Sequence, residues 1–115
     1  MKKVYYLKTC DTCKRIMKSI DLEEFEFQEI KNQPISMSQL DEMQSLSGSY
    51  ESLFSRRAKK YASMGLKDQQ LNEIDFKQLI LSDYTFLKRP VIISGGLIFI
   101  GSDKKNLSRL KESIA

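Results

Sequence analysis

Cys10 and Cys13 are the two cysteines of this chain, and they stand in a Cys-x-x-Cys arrangement. Two thiols at this spacing can cycle between dithiol and disulfide, because one thiolate attacks a sulfur atom and the second thiol releases the adduct. Cys10 lies just before a predicted helix, whose free N–H groups and positive dipole end favour a thiolate. We therefore interpret Cys10 as a nucleophile and Cys13 as the resolving thiol. Two unreactive thiols on a loop and a helix face are the alternative.

The chain has 115 residues and no histidine. A cysteine–histidine catalytic pair is thereby excluded, and so is a metal site with histidine ligands. Two cysteines alone seldom form a structural zinc site, which requires four ligands. No sequence feature indicates a flavin or nicotinamide site. We therefore expect no metal and no bound cofactor, so that the electrons for a redox reaction come from a thiol partner.

Arg57 and Arg89 are the candidate ligands for an anion, because a guanidinium group matches the oxygens of a tetrahedral oxyanion in a bidentate manner. The chain carries a net charge of +4, and part of the excess lies at Arg56, Arg57, Lys59 and Lys60. This cluster is either solvated surface or part of an anion pocket. Aromatic residues do not interleave with basic ones as they do in proteins that bind single-stranded nucleic acid, so no direct nucleic-acid partner is expected.

The first 30 residues have the pattern of a strand, a cysteine loop, a helix and a second strand. Residues 4–7 are apolar and predict a buried strand, and the alternation that begins at Phe25 predicts another over residues 25–30. Asp11 or Thr12 is the expected N-cap of the intervening helix. Three apolar residues give that helix one buried face: Ile16, Met17 and Ile20. A Cys-x-x-Cys motif at the end of the first strand of such a unit is a thioredoxin-like signal.

From Pro34 to about Asp83 the pattern becomes helical. Its predicted elements, in order, are a helix that Ser36 or Ser38 caps and Gly48 ends, a helix from about residue 49 through residue 54, a loop or short helix over residues 66–71, and a helix over residues 75–81. Leu40, Met43 and Leu46 form the apolar face of the first of these helices.

Two short strands and a helix complete the chain. The strands cover residues 91–93 and 97–100 with Gly95-Gly96 between them, which predicts a hairpin, and the helix carries Leu107, Leu110 and Ile114 on one face. Pro90 belongs at the start of its strand and is a candidate for a cis peptide bond. The element order predicts one α/β domain over residues 1–115, with a mixed four-stranded sheet and a helical insertion at about residues 34–83.

The longest apolar run, Leu97–Ile100, is far shorter than the ~18 apolar residues of a membrane span. The apolar run near the N-terminus is also too short for the hydrophobic core of a signal peptide. We therefore expect a cytoplasmic protein that does not insert into membranes.

Three stretches, in this order, resemble the arsenate-reductase-like (ArsC) family over nearly the whole chain: residues 6–15 with both cysteines, residues 53–57 with a Leu-Phe-Ser-Arg-Arg sequence, and residues 87–93 with Arg-Pro before an apolar strand. The resemblance implies a thioredoxin-like fold with a helical insertion between the second and third strands. It also implies that Cys10 is catalytic, that Arg57 and Arg89 bind the oxyanion, and that Pro90 is cis. Arg56 is an alternative to Arg57, since the register there allows either residue.

Arsenate reductases of this family use glutathione and glutaredoxin to complete the reduction. The resemblance therefore implies a thiol reductant such as glutathione, glutaredoxin or thioredoxin as the redox partner. Our leading hypothesis is a thiol-dependent oxidoreductase in which Cys10 attacks a small oxyanion such as arsenate, or a disulfide, and Cys13 resolves the product.

The chain departs from the family pattern at two places. A third oxyanion-binding arginine is expected just after the last strand, where this chain has Gly101-Ser102-Asp103. Many family reductases have one cysteine in the loop that here contains two, whereas Spx-type regulators have Cys-x-x-Cys. The alternative hypothesis is therefore a redox-sensing transcriptional regulator that binds RNA polymerase through a Cys10–Cys13 disulfide switch.

Overall fold

The computed structural model describes residues 2–114, which form two compact units. The first unit contains the residues up to Pro34 and those from Arg89 onward, and the second contains Ile35–Lys88. The helices and strands, in chain order, are β1 (Lys2–Tyr6), α1 (Asp11–Ser19), β2 (Glu26–Glu29), α2 (Met37–Ser47), α3 (Lys59–Ser63), α4 (Glu73–Ser82), β3 (Val91–Ser94), β4 (Leu97–Ile100) and α5 (Lys104–Ile114). That residues 1–115 form a single domain stays a prediction.

The first unit is built on a mixed four-stranded sheet with the strand order β2-β1-β3-β4. β1 and β2 are parallel and are joined through α1, while β3 pairs antiparallel with both β1 and β4. The register places Ile92 between Val4 of β1 and Phe99 of β4. The predicted α/β class and the predicted mixed sheet are thus confirmed, and the Gly95-Gly96 turn joins β3 to β4 as expected.

The core of this unit lies where α1 and α5 cover one face of the sheet. Its buried members come from β1, β3 and β4, from the connection between α1 and β2, and from both helices: Val4, Ile16, Leu22, Phe25, Ile92, Phe99 and Leu110. Met17, Ile20 and Leu107 pack against them, so the predicted apolar faces of the two helices are confirmed. The side chain of Ile114 lies outside the described residues. Burial of one such large side chain stabilises the fold by about 1.5–3 kcal/mol.

The edge strand β2 does not bury its aromatic positions in the way that simple alternation suggests. Phe25 is buried just before the strand begins, whereas Phe27 is 45% exposed and Gln28 is 2% exposed. The side-chain amide of Gln28 donates a hydrogen bond to the Gln33 carbonyl at 3.0 Å, which compensates for its burial. Phe27 lies on the edge strand of the sheet and meets the ring of Tyr6 edge-on.

The second unit consists of helices, as predicted. Ser36 caps α2 through a capping box with Gln39, and Gly48 ends the helix in a left-handed conformation with φ of 94°. Asn72 caps α4 in the same manner, so this helix begins two residues before the predicted Asp75. The predicted loop or short helix near residue 66 contains the 3₁₀ turn Leu66–Asp68.

The predicted helix from about residue 49 through Phe54 is wrong. This stretch contains only the 3₁₀ turn Glu51–Leu53, and Phe54 itself is extended and bridged to Leu87. Phe54 is fully buried and stacks on Phe86 at a centroid distance of 5.2 Å. The backbone turns out of the helix there because this aromatic packing and the bridge to Leu87 replace the helical hydrogen bonds.

Across residues 2–114, no helix has both the length and the apolar character that a membrane crossing requires.

Candidate active site

Cys10 itself is the N-cap of α1, which corrects the prediction that Asp11 or Thr12 caps the helix. Its backbone is extended, with φ of −88° and ψ of 110°, and its sulfur accepts the backbone N–H of Cys13 at 3.4 Å. The Cys-x-x-Cys spacing produces this contact, because an N-cap side chain normally accepts the N–H of the residue three positions later. The Cys10 sulfur therefore lies at the positive end of the helix.

The loop that leads to Cys10 is fixed at two points. The N–H of Cys10 donates to the Leu7 carbonyl at 3.0 Å, and the N–H of Lys8 donates to the Glu29 carboxylate at 2.8 Å. Glu29 also accepts the N–H groups of Lys31 and Asn32, each at 2.8 Å. The hydrogen bond from Lys8 is the main cause that lowers the pKa of Glu29, so the carboxylate is present at neutral pH.

Sequence reasoning missed Glu29 because its partners are backbone N–H groups, which leave no signal in the residue types. The parallel register that pairs Tyr6 with Glu29 brings this carboxylate to the end of β1, next to the cysteine loop. The one signal in the sequence that could have identified Glu29 was its place as an acidic residue at the end of the strand beside β1.

The surroundings of Cys10 favour its thiolate. Partial burial acts in the opposite direction and raises the pKa of the thiol. The hydrogen bonds from the backbone N–H and the thiol of Cys13 outweigh that effect. The positive charge of Arg89 and the N–H of Thr12 add to them, so the pKa of Cys10 is lower than that of an ordinary cysteine.

The surroundings of Cys13 favour its neutral thiol, because its side chain has no exposed surface. Burial is the main cause that raises its pKa to about 12, and the neighbouring Cys10 sulfur adds to the increase. The N–H of Leu7 and the charge of Arg89 oppose the increase only in part. One sulfur is thus prepared as a thiolate and the other is kept as a thiol, and both are free cysteines in this structure.

Arg89 and Pro90 directly precede β3. The Arg89–Pro90 peptide is cis, as the resemblance implied. Arg89 is half-buried, and its charge acts on both sulfur atoms. The first unit therefore contains four of the five predicted site residues: Cys10, Cys13, Arg89 and Pro90.

Arg57, the fifth predicted residue, belongs to the second unit. It is exposed, and within residues 2–114 its side chain makes no hydrogen bond or ion pair. Arg56 differs, since its guanidinium is 2.9 Å from the Glu51 carboxylate and lies over the Phe76 ring at 5.6 Å. The contacts of Arg56 are thus satisfied inside its own unit, which leaves Arg57 as the better candidate for an external anion.

The segment Gly101-Ser102-Asp103 has a backbone role in this structure. Gly101 adopts a left-handed conformation with φ of 78°, which disfavours residues with a side chain. Its N–H donates to the Pro90 carbonyl at 2.9 Å. The Asp103 carboxylate accepts the N–H of Asn106 at 2.8 Å in the first turn of α5. This segment contains no arginine, so it does not supply the third oxyanion-binding arginine that the family pattern predicts.

Among the residues that the structure describes, no three Cys, Asp or Glu side chains come together as a metal site would require. The chemistry that this arrangement can perform is thiol chemistry, in which an accessible thiolate is backed by a buried thiol and a guanidinium group.

Known proteins share the sequence pattern and the fold of this chain. Residues 5–110 match the model of the ArsC family. Among solved structures, a protein described as a possible arsenate reductase from Streptococcus mutans UA159 is 28% identical, with a TM-score of 0.72, and the match covers 94% of this chain and 98% of that chain. The curated proteins contain no match.

Two further structures share the fold at lower identity. The arsenate reductase from Vibrio cholerae is 14% identical with a TM-score of 0.74, and the match covers 99% of this chain and 97% of that chain. The YffB protein is 21% identical with a TM-score of 0.84, and both chains are covered completely. These two likenesses concern the fold alone.

Proposed function

Because this chain belongs to the ArsC family, we propose that it is a thiol-dependent oxidoreductase with Cys10 as its nucleophile. The observation that carries the proposal is the position of the Cys10 sulfur at the N-cap of α1, where the N–H of Cys13 and the charge of Arg89 favour the thiolate. The thiolate is the reactive form of cysteine. The substrate is a disulfide or a small oxyanion such as arsenate.

With a disulfide, the Cys10 thiolate attacks one sulfur, the substrate S–S bond breaks, and one thiolate leaves. Cys13 then loses its proton and attacks the Cys10 sulfur, which releases the second thiolate and forms the Cys10–Cys13 disulfide. Two electrons have passed from the protein dithiol to the substrate. A thiol reductant such as glutathione, glutaredoxin or thioredoxin restores the dithiol and is itself oxidised to a disulfide.

With arsenate, the Cys10 sulfur bonds to arsenic and hydroxide or water leaves. Attack of Cys13 on the Cys10 sulfur then breaks the sulfur–arsenic bond, and arsenic keeps the electron pair and leaves as arsenite. The protein ends as the same disulfide, so one reductant serves both substrates. Arg89 binds the negative oxygens beside Cys10, and the family resemblance makes Arg57 the candidate for a second guanidinium ligand.

The order of the two steps follows from the environments of the two sulfurs. The Cys10 thiolate is one of the causes that raise the pKa of Cys13. Formation of the adduct on Cys10 removes this negative charge, so Cys13 loses its proton more easily afterwards than before. Cys13 therefore acts second, although it is buried in the reduced protein.

The test of the proposal is the rate of iodoacetamide alkylation of Cys10 as a function of pH, with mass spectrometry to assign the site. We expect a midpoint below the value of about 8.5 for a free thiol. In Arg89→Gln the midpoint should rise by about one unit, since a nearby positive charge favours the thiolate. Lys105→Gln, an exposed residue of α5, is the charge-matched control and should leave the midpoint unchanged. A wild-type midpoint at or above 8.5 contradicts the proposal.

The two neighbouring arginines give a matched pair of variants. Arg57→Gln should raise the KM for an oxyanion substrate by about tenfold, in line with the loss of one charge-assisted hydrogen bond, and should leave the melting temperature unchanged. Arg56→Gln should lower the stability by about 1 kcal/mol, because it loses the Glu51 contact and the Phe76 ring, and should leave KM unchanged. The reverse result would assign the anion to Arg56.

A further inference from the structure

We propose that Asn106 is a positioning residue of the Cys10 site, which holds the Gly101 turn against Pro90 and thereby fixes the start of β3 that carries Arg89. The inference rests on the proposed role of Cys10 as the nucleophile. It assigns a function to a side chain that lies on α5, far along the sequence from the cysteine loop.

Asn106 is a buried amide whose two ends both have partners. Its exposed fraction is 8%. The side-chain oxygen accepts the N–H of Ile100 at 3.1 Å, and the side-chain nitrogen donates to the Gly101 carbonyl at 3.1 Å. Burial of an amide is unfavourable unless such hydrogen bonds compensate for it. An apolar residue would pack on this face of α5 without that cost, so the hydrogen bonds account for the asparagine.

The two hydrogen bonds hold the peptide units on either side of the Ile100–Gly101 peptide, because the N–H of Ile100 precedes it and the carbonyl of Gly101 follows it. The N–H of Gly101, which belongs to the enclosed Ile100–Gly101 peptide, donates to the Pro90 carbonyl at 2.9 Å. The strand register continues from this point, with Val91 paired to Ile100. Asn106 therefore connects to Pro90 through one intervening peptide, and Arg89 is the residue immediately before Pro90.

The consequence concerns the charge of Arg89 at the active site. This charge stabilises the Cys10 thiolate, and the strength of an electrostatic interaction depends on the distance between the charges. When the Gly101 turn no longer holds the residues before β3, Arg89 can move away from Cys10. The Cys10 thiolate is then stabilised less. Asn106 does not touch the cysteines in this account, because it acts through Gly101, Pro90 and Arg89.

The experiment measures the pH midpoint of Cys10 alkylation in Asn106→Leu, which keeps the size of the side chain and removes both hydrogen bonds. We expect the midpoint to rise by about half a unit, less than in Arg89→Gln. In the Arg89→Gln background, Asn106→Leu should add nothing, because the charge that it positions is gone. Leu110→Ala is the control on the same helix: its side chain is fully buried, so it lowers the melting temperature but leaves the midpoint unchanged.

The inference is overturned if Asn106→Leu leaves the pH midpoint of Cys10 alkylation unchanged. It is also overturned if Asn106→Leu shifts the midpoint equally in the wild-type and the Arg89→Gln backgrounds. If the leucine variant does not fold, Asn106→Ser, which is smaller and polar, is measured in the same way with the same expectation. The proposed function fails separately, through a wild-type midpoint at or above that of a free thiol, so the two failures are distinguished within one data set.

Discussion

Cys10→Ser is expected to abolish turnover with disulfides and with arsenate, by at least about a thousandfold, as removal of a catalytic nucleophile does in other enzymes. Serine has the same shape but its hydroxyl is not ionised near neutral pH, so no nucleophile remains at the N-cap of α1. The measurement is the oxidation of a thiol reductant in the presence of each substrate, with purified wild type and variant compared at equal concentration.

The fold should survive this substitution, which makes the result interpretable. Serine is a preferred N-cap residue and its oxygen accepts the N–H of Cys13 in place of sulfur. We therefore expect melting temperatures within about 2 °C of each other, since a cap exchange of this kind changes stability by only a fraction of 1 kcal/mol. Loss of activity together with loss of folding would say nothing about chemistry, so both quantities are measured.

Unchanged activity in Cys10→Ser would refute the proposed function. A wild-type protein that lacks reductase activity with every disulfide and oxyanion, yet forms the Cys10–Cys13 disulfide readily, would instead favour the redox-sensing regulator. In that case the expected property is binding to RNA polymerase that differs between the oxidised and the reduced protein.

The parts of the fold that could be predicted are those that local patterns determine. The apolar spacing of Ile16, Met17 and Ile20 predicted the buried face of α1, and the Ser36 and Gly48 signals predicted both ends of α2. Each of these depends on residues within a few positions of one another. Phe54 is the counterexample, because its extended backbone depends on contacts with Phe86 and Leu87, more than thirty positions away.

The same distinction separates the predicted from the missed residues of the site. Cys10 and Cys13 were found because their spacing is itself the signal. The cap role of Cys10 was missed because rules for N-caps favour oxygen-bearing side chains such as those of Asp11 and Thr12. Glu29 was missed because it accepts the backbone N–H of Lys8, which the sheet brings to it from 21 positions away. Asn106 was missed because its partners are backbone groups of Ile100 and Gly101, which leave no signal in the residue types.

Cys13→Ser is expected to stop the reaction after its first step. The Cys10 thiolate still attacks a disulfide, because the N–H of residue 13 and the charge of Arg89 remain. The mixed disulfide then has no internal thiol to release it, so it should accumulate to nearly one equivalent per chain. Intact-mass spectrometry after reaction with a disulfide such as oxidised glutathione would show the added half-molecule on Cys10, and turnover should fall by at least about a hundredfold.

The pH dependence of the second step gives this prediction a further test in the wild-type protein. Burial is the main cause that raises the pKa of Cys13 to about 12 in the reduced protein. Burial does not depend on the charge of Cys10, so the thiolate fraction of Cys13 in the mixed disulfide should still increase with pH across the neutral range. Resolution of the mixed disulfide should therefore become faster as pH rises, while the first step levels off above the midpoint of Cys10. If Cys13→Ser turns over at the wild-type rate without accumulating an adduct, an external thiol resolves the intermediate, and the buried thiol serves Cys10 only as a hydrogen-bond donor.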